Sequence, residues 1–192
     1  MNGYLANPAI FLINTVFGLY ILAVMLRFLF QLVEAEFYNP ISQFLVKITH
    51  PPLRILRRII PSFGRLDSAS LVLMLLLQIL ADYLAFVLQG GGQVGIGMLI
   101  ASALVQLVNL AFNVFIYAII IQAIMSWINP DPYNPVFSLL TQLTEPILRP
   151  CRRIIPLMGG LDLSPLLALV ALQIAKMLIM PPLQKIVLIL AF

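Results

Sequence analysis

Apolar residues run along this chain in long, nearly unbroken stretches. Runs of more than about 18 are candidate membrane spans, because ~20 residues at a ~1.5 Å rise cross a hydrocarbon core of ~30 Å. The first runs from about Ala9 to Val33 and is interrupted only by Arg27. It lacks the cationic start and small-residue cleavage site of a signal peptide, so it reads as an uncleaved span. The second covers about Ser68 to Gln89 and contains Asp82. From Tyr83 to Pro130 no residue is charged, and the polar sequence QGGGQ at 89–93 makes the one break. The last span is expected over 164–180; it carries Lys176 and meets Pro181-Pro182 before a short apolar tail.

An internal repeat organises these runs. When Tyr38-Asn39-Pro40 is laid on Tyr133-Asn134-Pro135, the register holds without a gap through Arg54, Arg57, Arg58 and Asp67 onto Arg149, Arg152, Arg153 and Asp162. Upstream, Asn14 falls on Asn109, which places the third span at about 104–128. The apolar stretch before it is then a tilted extension or a surface segment. Each half reads as span, amphipathic loop, span. The prediction is an all-α membrane protein of four transmembrane helices in two parallel two-span repeats, 1–93 and 94–192. Its basic amphipathic loops are 38–67 and 133–163.

Composition agrees. Of 192 residues 62% are hydrophobic and 9% charged, against about 45–50% and 25% in soluble domains. A net charge of +4 is too small and scattered for a nucleic-acid footprint. One cysteine and one histidine allow neither an intrachain disulfide nor a His/Cys metal cluster, so no metal and no cofactor is expected. No strand-flanked GxGxxG, Walker loop or HExxH occurs, and no catalytic residue is assigned. Eight of the eleven Lys/Arg lie in the two loops. The positive-inside bias therefore places both loops in the cytoplasm and both termini outside.

The loops carry the clearest pattern. PPLRILRRIIP (51–61) and PILRPCRRIIP (146–156) set arginines at i, i+3 and i+4, so Arg54, Arg57 and Arg58 share a helical face, as do Arg149, Arg152 and Arg153. Pro51 and Pro146 suit the first turn of a helix. Two short helices per loop are expected at the interface, their arginines among headgroups. They would serve either as orienting charges alone or as ligands for anionic lipid or a protein partner. Asp67 and Asp162 stand just before spans two and four as expected helix caps.

Ionisable groups inside spans are functional candidates by default. Arg27 is expected to snorkel to the loop end or meet Glu34 or Glu36. Asp82 and Lys176 fall at nearly the same depth, and a pair joining the repeats would remove the isolated-charge penalty. A proton or ion pathway would use the same residues. Gln78 and Gln173 lie one turn inward and are placed to bond across helices. His50 reads as an interfacial polar residue and Cys151 as an inert thiol.

The segments YNPISQFLVKITHPPLRILRRIIPSFGRLDSASL (38–71) and YNPVFSLLTQLTEPILRPCRRIIPLMGGLDLSPL (133–166) resemble the YggT family, also called YlmG. The resemblance covers nearly the whole chain and implies a multi-pass protein of the bacterial inner membrane with two tandem repeats. It carries no catalytic set. The resemblance implies an association with cell division or nucleoid organisation, with osmotic or ion tolerance, or with haem attachment to a cytochrome. The residues themselves leave a small transport or channel component, using Asp82, Lys176 and Arg27, and a haem or cytochrome maturation factor as alternatives. The leading expectation is a non-enzymatic organiser or assembly factor that uses the loop helices on lipid, a membrane protein partner or a second copy. A buried Asp82–Lys176 pair would favour it; a wet cavity reaching these charges would favour transport.

Overall fold

The computed structural model describes residues 3–61, 66–92, 94–128, 133–154 and 162–190. Six helices follow one another: α1 (Gly3–Leu32), α2 (Pro40–Leu56), α3 (Ser68–Leu88), α4 (Ile96–Ile128), α5 (Pro135–Ile154) and α6 (Ser164–Leu190). Among the described residues there is no strand. Four helices are long and apolar enough to cross a membrane: α1, α3, α4 and α6. Within each repeat the two spans pack on each other, α1 on α3 and α4 on α6, and α3 against α4 joins the halves. The loop helices α2 and α5 cap one end of this bundle and also touch each other. Arg65, with Gly64 of the first motif, and residues 155–161 of the second, including Gly159, lie outside the described residues.

The helices outrun the sequence pattern in three ways. The apolar stretch before the third span is helical, so α4 is continuous over 33 residues. It contains no proline, and Gly97 alone is too weak a breaker to end it. At ~1.5 Å per residue such a helix outreaches a ~30 Å core and must tilt or project. Second, α6 continues through Pro181-Pro182 to Leu190 instead of ending in a separate tail. Third, each loop holds one helix where two were expected. α2 passes through Pro51-Pro52 and α5 through Pro146 and Pro150, so these prolines do not occupy first turns. That place belongs to Pro40 and Pro135, each following an asparagine that caps the helix: the backbone N–H groups of Ile41 and Val136 each donate to the preceding Asn Oδ1 at 2.9 Å. Asparagine is among the best caps, and proline at N1 lacks an N–H that has no partner there anyway.

A proline inside a helix leaves the carbonyl four residues earlier without its donor. Pro52 does this to Ile48, and the Tyr20 hydroxyl of α1 donates to that carbonyl at 3.1 Å. In the second repeat Ile147 stands at the place of Pro52 and has its own N–H. There Phe115, at the place of Tyr20, carries no hydroxyl. The two positions change together.

The first two spans end in the same way. α1 closes with the amides of Glu34 and Ala35 donating back to the carbonyls of Gln31 (3.2 Å) and Phe30 (2.8 Å), the Schellman arrangement, with Glu34 at φ 55°. Gly90 makes the same turn after α3 at φ 79°, where glycine meets no steric penalty.

Candidate functional site at the loop end of the bundle

Each loop helix is pinned to its span by a buried threonine. Arg27, on α1, donates through Nη1 to Thr49 Oγ1 at 2.7 Å and to the Val46 carbonyl at 3.3 Å. Gln122, at the matching place on α4, accepts a hydrogen bond from Thr144 Oγ1. Both threonines are fully buried. Thr49 Oγ1 donates to the Leu45 carbonyl one turn back, and the single hydroxyl proton of Thr144 is shared between Gln122 Oε1 and the Leu140 carbonyl. Arg27 is itself only 8% exposed. It neither snorkels to the end of its span nor depends on Glu34 or Glu36, because α2 brings a hydroxyl and a carbonyl to it. A buried cation requires such partners.

The expected arginine face divides. Arg57 turns back to Asp67, Nη2 to Oδ2 at 2.5 Å, and Arg152 does the same to Asp162, Nε to Oδ2 at 3.1 Å. Arg152 also reaches Glu145 at 2.7 Å. The two pairs close each loop onto the start of the next span. Arg54, Arg58, Arg149 and Arg153 remain exposed. The loop helices are joined as well: Asn39 Nδ2 donates to the Pro135 carbonyl at 2.8 Å, and the Glu36 amide donates to Gln142 Oε1 at 2.7 Å. The result is one tethered layer with four guanidinium groups on its outside.

Asp67 and Asp162 both precede their helices, but only Asp162 caps with its side chain, accepting from the Ser164 amide at 2.9 Å. Asp67 departs from the expected cap. Its side chain makes no capping bond; Oδ2 accepts from Arg57 and from Ser70 Oγ at 2.6 Å. Burial pushes the Asp67 carboxyl up, but the hydrogen bonds from Arg57 and Ser70 and the charge of Arg57 outweigh it and hold it below the ordinary carboxylate range. For Asp162 burial acts in the same direction and is likewise outweighed, by Ser164 and Arg152. Burial lowers Arg152, and its two acids more than offset this, so it ends above its usual value.

These groups border a cavity in each repeat. The first is about 580 Å³ and is lined by Arg27, Ser42, Arg57 and Asp67, with Glu34 and Phe37 among the others. The second, at the matching positions Gln122, Phe137, Arg152 and Asp162, is about 150 Å³.

The charges deeper in the spans do not meet. Asp82 accepts from Gln78 Nε2 (3.0 Å), Gln106 Nε2 (2.8 Å) and Ser102 Oγ (3.2 Å). Lys176 Nζ donates to Asn113 Oδ1 at 2.7 Å. Both residues therefore bond to α4, and their own helices α3 and α6 do not pack on each other. Matching depth does not bring two residues together when a third helix stands between them. Gln78 bonds across helices as expected, also donating to Gln106 Oε1 at 2.9 Å. Asp82 lines a cavity of about 460 Å³ between α1, α3 and α4 at the end opposite the loop helices. Between this cavity and the loop-end one, α1 and α3 bury Val24, Leu73 and Met74. His50 is exposed and Cys151 is a buried free thiol. Among the described residues no three His, Cys, Asp or Glu side chains converge.

Thr49, Thr144, Ser42, Ser70, Tyr20 and Gln122 were not picked out from the sequence as site residues. Thr49 and Thr144 recur in the repeat, and Tyr20 changes together with Pro52, so those three carried a readable signal. Ser42 and Ser70 recur in neither sense, being replaced by Phe137 and Pro165.

A family profile described as CCB3/YggT matches residues 6–88 and again 101–183, in the same register that lays Tyr38 on Tyr133. An uncharacterised protein of Pseudomonas aeruginosa is 46% identical over 176 residues, 91% of this chain and 89% of that one. An uncharacterised protein of Vibrio alginolyticus is 40% identical over 173 residues, 90% and 93% of the two chains. The uncharacterised protein YggT of Escherichia coli is 37% identical over 171 residues, 89% and 88%. No solved structure matches.

Proposed function

The chain belongs to the CCB3/YggT family, and on that premise we propose that it is a non-enzymatic organiser or assembly factor of the bacterial inner membrane. Its working surface is the outer side of the joined α2–α5 layer, facing the cytoplasm. The observation that carries this reading is the division of the arginines. Arg57 and Arg152 are used in holding the fold, while Arg54, Arg58, Arg149 and Arg153 stay exposed at matching places in both repeats. A flexible loop would serve equally well to orient the chain. A rigid one with its cations turned outward suits recognition of anionic headgroups or an acidic membrane partner, at about 1 kcal/mol per cation near an anionic leaflet.

The test is thermal unfolding of the full chain in micelles titrated with phosphatidylglycerol or phosphatidylcholine of equal chain length. The anionic lipid stabilises the wild type more, salt weakens the difference, and replacing the four exposed arginines by Gln removes it. Equal stabilisation of the wild type by both lipids overturns the reading. For the orientation, cysteines at Ile59 and Ile154 in a Cys151→Ala background resist a membrane-impermeant thiol reagent on intact cells. One at Gly92, where an added Cβ meets no neighbour, reacts. The reverse pattern overturns the orientation.

A second reading, a small transport or channel component, rests on Asp82, which has no cationic partner among its hydrogen bonds and borders a cavity. The apolar layer of Val24, Leu73 and Met74 closes the path beyond it. Loss of ion flux in proteoliposomes on Asp82→Asn would favour transport over the organiser.

A further inference from the structure

The two halves of the chain meet along a seam whose polar contacts come from residues that recur in the repeat. Gln78 of α3 donates to Gln106 of α4 at 2.9 Å, and Asn39, ahead of α2, donates through Nδ2 to the Pro135 carbonyl at 2.8 Å. The repeat register lays Gln173 on Gln78 and Asn134 on Asn39. In the second repeat these residues have nothing to meet. Gln173 is exposed on α6, and its side chain bonds to none of the described residues. Asn134 caps α5 through Oδ1 as Asn39 caps α2, but its Nδ2 has no acceptor among the described residues. Asn39 is buried against the seam, whereas Asn134 is only half-buried.

The cost falls on Gln173. It lies about 14 Å along α6 from Ser164 at the helical rise per residue, close to the middle of a hydrocarbon core of ~30 Å. Lipid tails offer a carboxamide neither donor nor acceptor, and such side chains in a span bond across helices. Within the chain no further helix is at hand, because α6 packs on α4 and α5 and not on α1, α2 or α3.

The apolar faces repeat in the same way. On the inner seam Leu71 and Leu75 of α3 line one apolar cavity with Leu107 and Ala111 of α4. Their counterparts, Leu166 and Val170 on α6 and Leu12 and Val16 on α1, are all between 50% and 65% exposed. The counterpart of Gln106 is Phe11, also exposed, with the exposed polar side chains of Asn7 and Thr15 one turn to either side. One end of the bundle thus presents one half of the seam, and the other end presents the second half.

We propose that copies of this chain associate head to tail in the membrane, α6 of one packing on α1 of the next as α3 packs on α4 within a copy. Gln173 then enters between Asn7 and Thr15 of the second copy, and Asn134 Nδ2 reaches the second copy's Pro40 carbonyl, the counterpart of Pro135. Such a seam is heterologous, and the rotation between repeats sets how many copies close a ring. It uses none of the four exposed arginines, so its failure leaves the organiser surface as it stands.

The experiment uses two differently tagged full chains in one membrane, both with Cys151→Ala. One carries Phe11→Cys and the other Met177→Cys, at the counterparts of Gln106 and Asp82, which share a 2.8 Å hydrogen bond on the inner seam. A short bismethanethiosulfonate joins the two tags, and neither variant alone gives a product of doubled mass. Gln173 makes no bond within its own chain, so Gln173→Leu leaves the melting point of the separated chain in excess detergent unchanged. In proteoliposomes it weakens association, read by energy transfer between labelled copies, about threefold, the average effect of one interhelical hydrogen bond. No product between the two tags overturns the proposal. Products within one variant alone, which would mean that like faces meet, overturn it too, as does a Met177→Cys adduct only with a chain of another mass, which gives the face to a different protein. An association that Gln173→Leu leaves unchanged also overturns it.

Discussion

The two repeats build the same corner of the fold from the same parts, and the corners differ in what they hold. Both have the asparagine cap, the buried threonine and the arginine turned back to an aspartate. In the first repeat these parts surround a cavity of about 580 Å³ with two arginines on its wall; in the second about 150 Å³ remains, with one. Few positions account for the difference. Phe137 occupies volume that Ser42 leaves open, and Gln122 replaces a cation with a neutral amide. Glu145, in place of His50, gives Arg152 a second acid. The repeated residues hold the loop helix to the bundle, and the residues that differ decide how much room the corner keeps. The cores divide similarly. One large buried cluster gathers α1, α2 and α3 with parts of α4 and α5, whereas Ile119, Leu148, Cys151 and Ala168 form a smaller one in the second repeat.

The sharpest way to break this comparison is at the aspartates. The Asp67 side chain is 1% exposed and that of Asp162 26%. Asp67→Asn leaves Arg57 without its buried carboxylate and costs about 3 kcal/mol, the low end for a buried pair, because the Arg57 side chain is itself 36% exposed. Asp162→Asn leaves Arg152 with Glu145 and costs about 1 kcal/mol or less. Thermal melts in detergent give the order, and equal losses would mean that the two corners carry the same load. Acid supplies a second readout. Both carboxyls are held below their ordinary values, so the stability they contribute is complete above about pH 3.9, the ordinary Asp value. It is lost as the pH falls through their lower folded-state values. Asp67→Asn flattens more of that acid limb than Asp162→Asn does.

Thr49→Val removes the hydroxyl partner of a buried cation and costs about 2 kcal/mol; Thr144→Val removes one of two hydroxyl partners of a neutral amide, which keeps Thr141, and costs about 1 kcal/mol. Chemical denaturation of both variants measures the gap. A larger loss at Thr144 would contradict the assignment of Arg27 as the stronger pin. The smallest effect is expected where the repeats exchange Tyr20 for Phe115. Tyr20→Phe leaves the Ile48 carbonyl without a donor and costs about 1 kcal/mol. Phe115→Tyr gains no bond, since Ile147 already serves the matching carbonyl. If Pro52→Ile rescues Tyr20→Phe, the paired change between the repeats is explained.

The linear pattern by itself determined the four spans, the tandem register, the basic loops and the family. Each of these depends on a local property that neighbours in sequence carry: apolar length, recurrence, charge density. Its errors were also local in kind. Prolines were read as helix starts in the loops and as the end of α6, where a span or a loop helix in fact continues past them. What joins residues distant in sequence was decided by the tertiary structure alone. Equal depth in the membrane said nothing about which helix stands between Asp82 and Lys176, and α4 gave each of them a different partner. The i, i+3, i+4 spacing put three arginines on one face, but only the return of the chain at Asp67 and Asp162 separated the pair used in folding from the four left outside. Ser42 shows the limit most plainly. A serine in an amphipathic helix is unremarkable until the packing of α1 and α3 buries its hydroxyl with nothing to bond. Hydrogen-bond satisfaction belongs to the packed fold, because the cost of an unmet group arises only once water has been excluded from it.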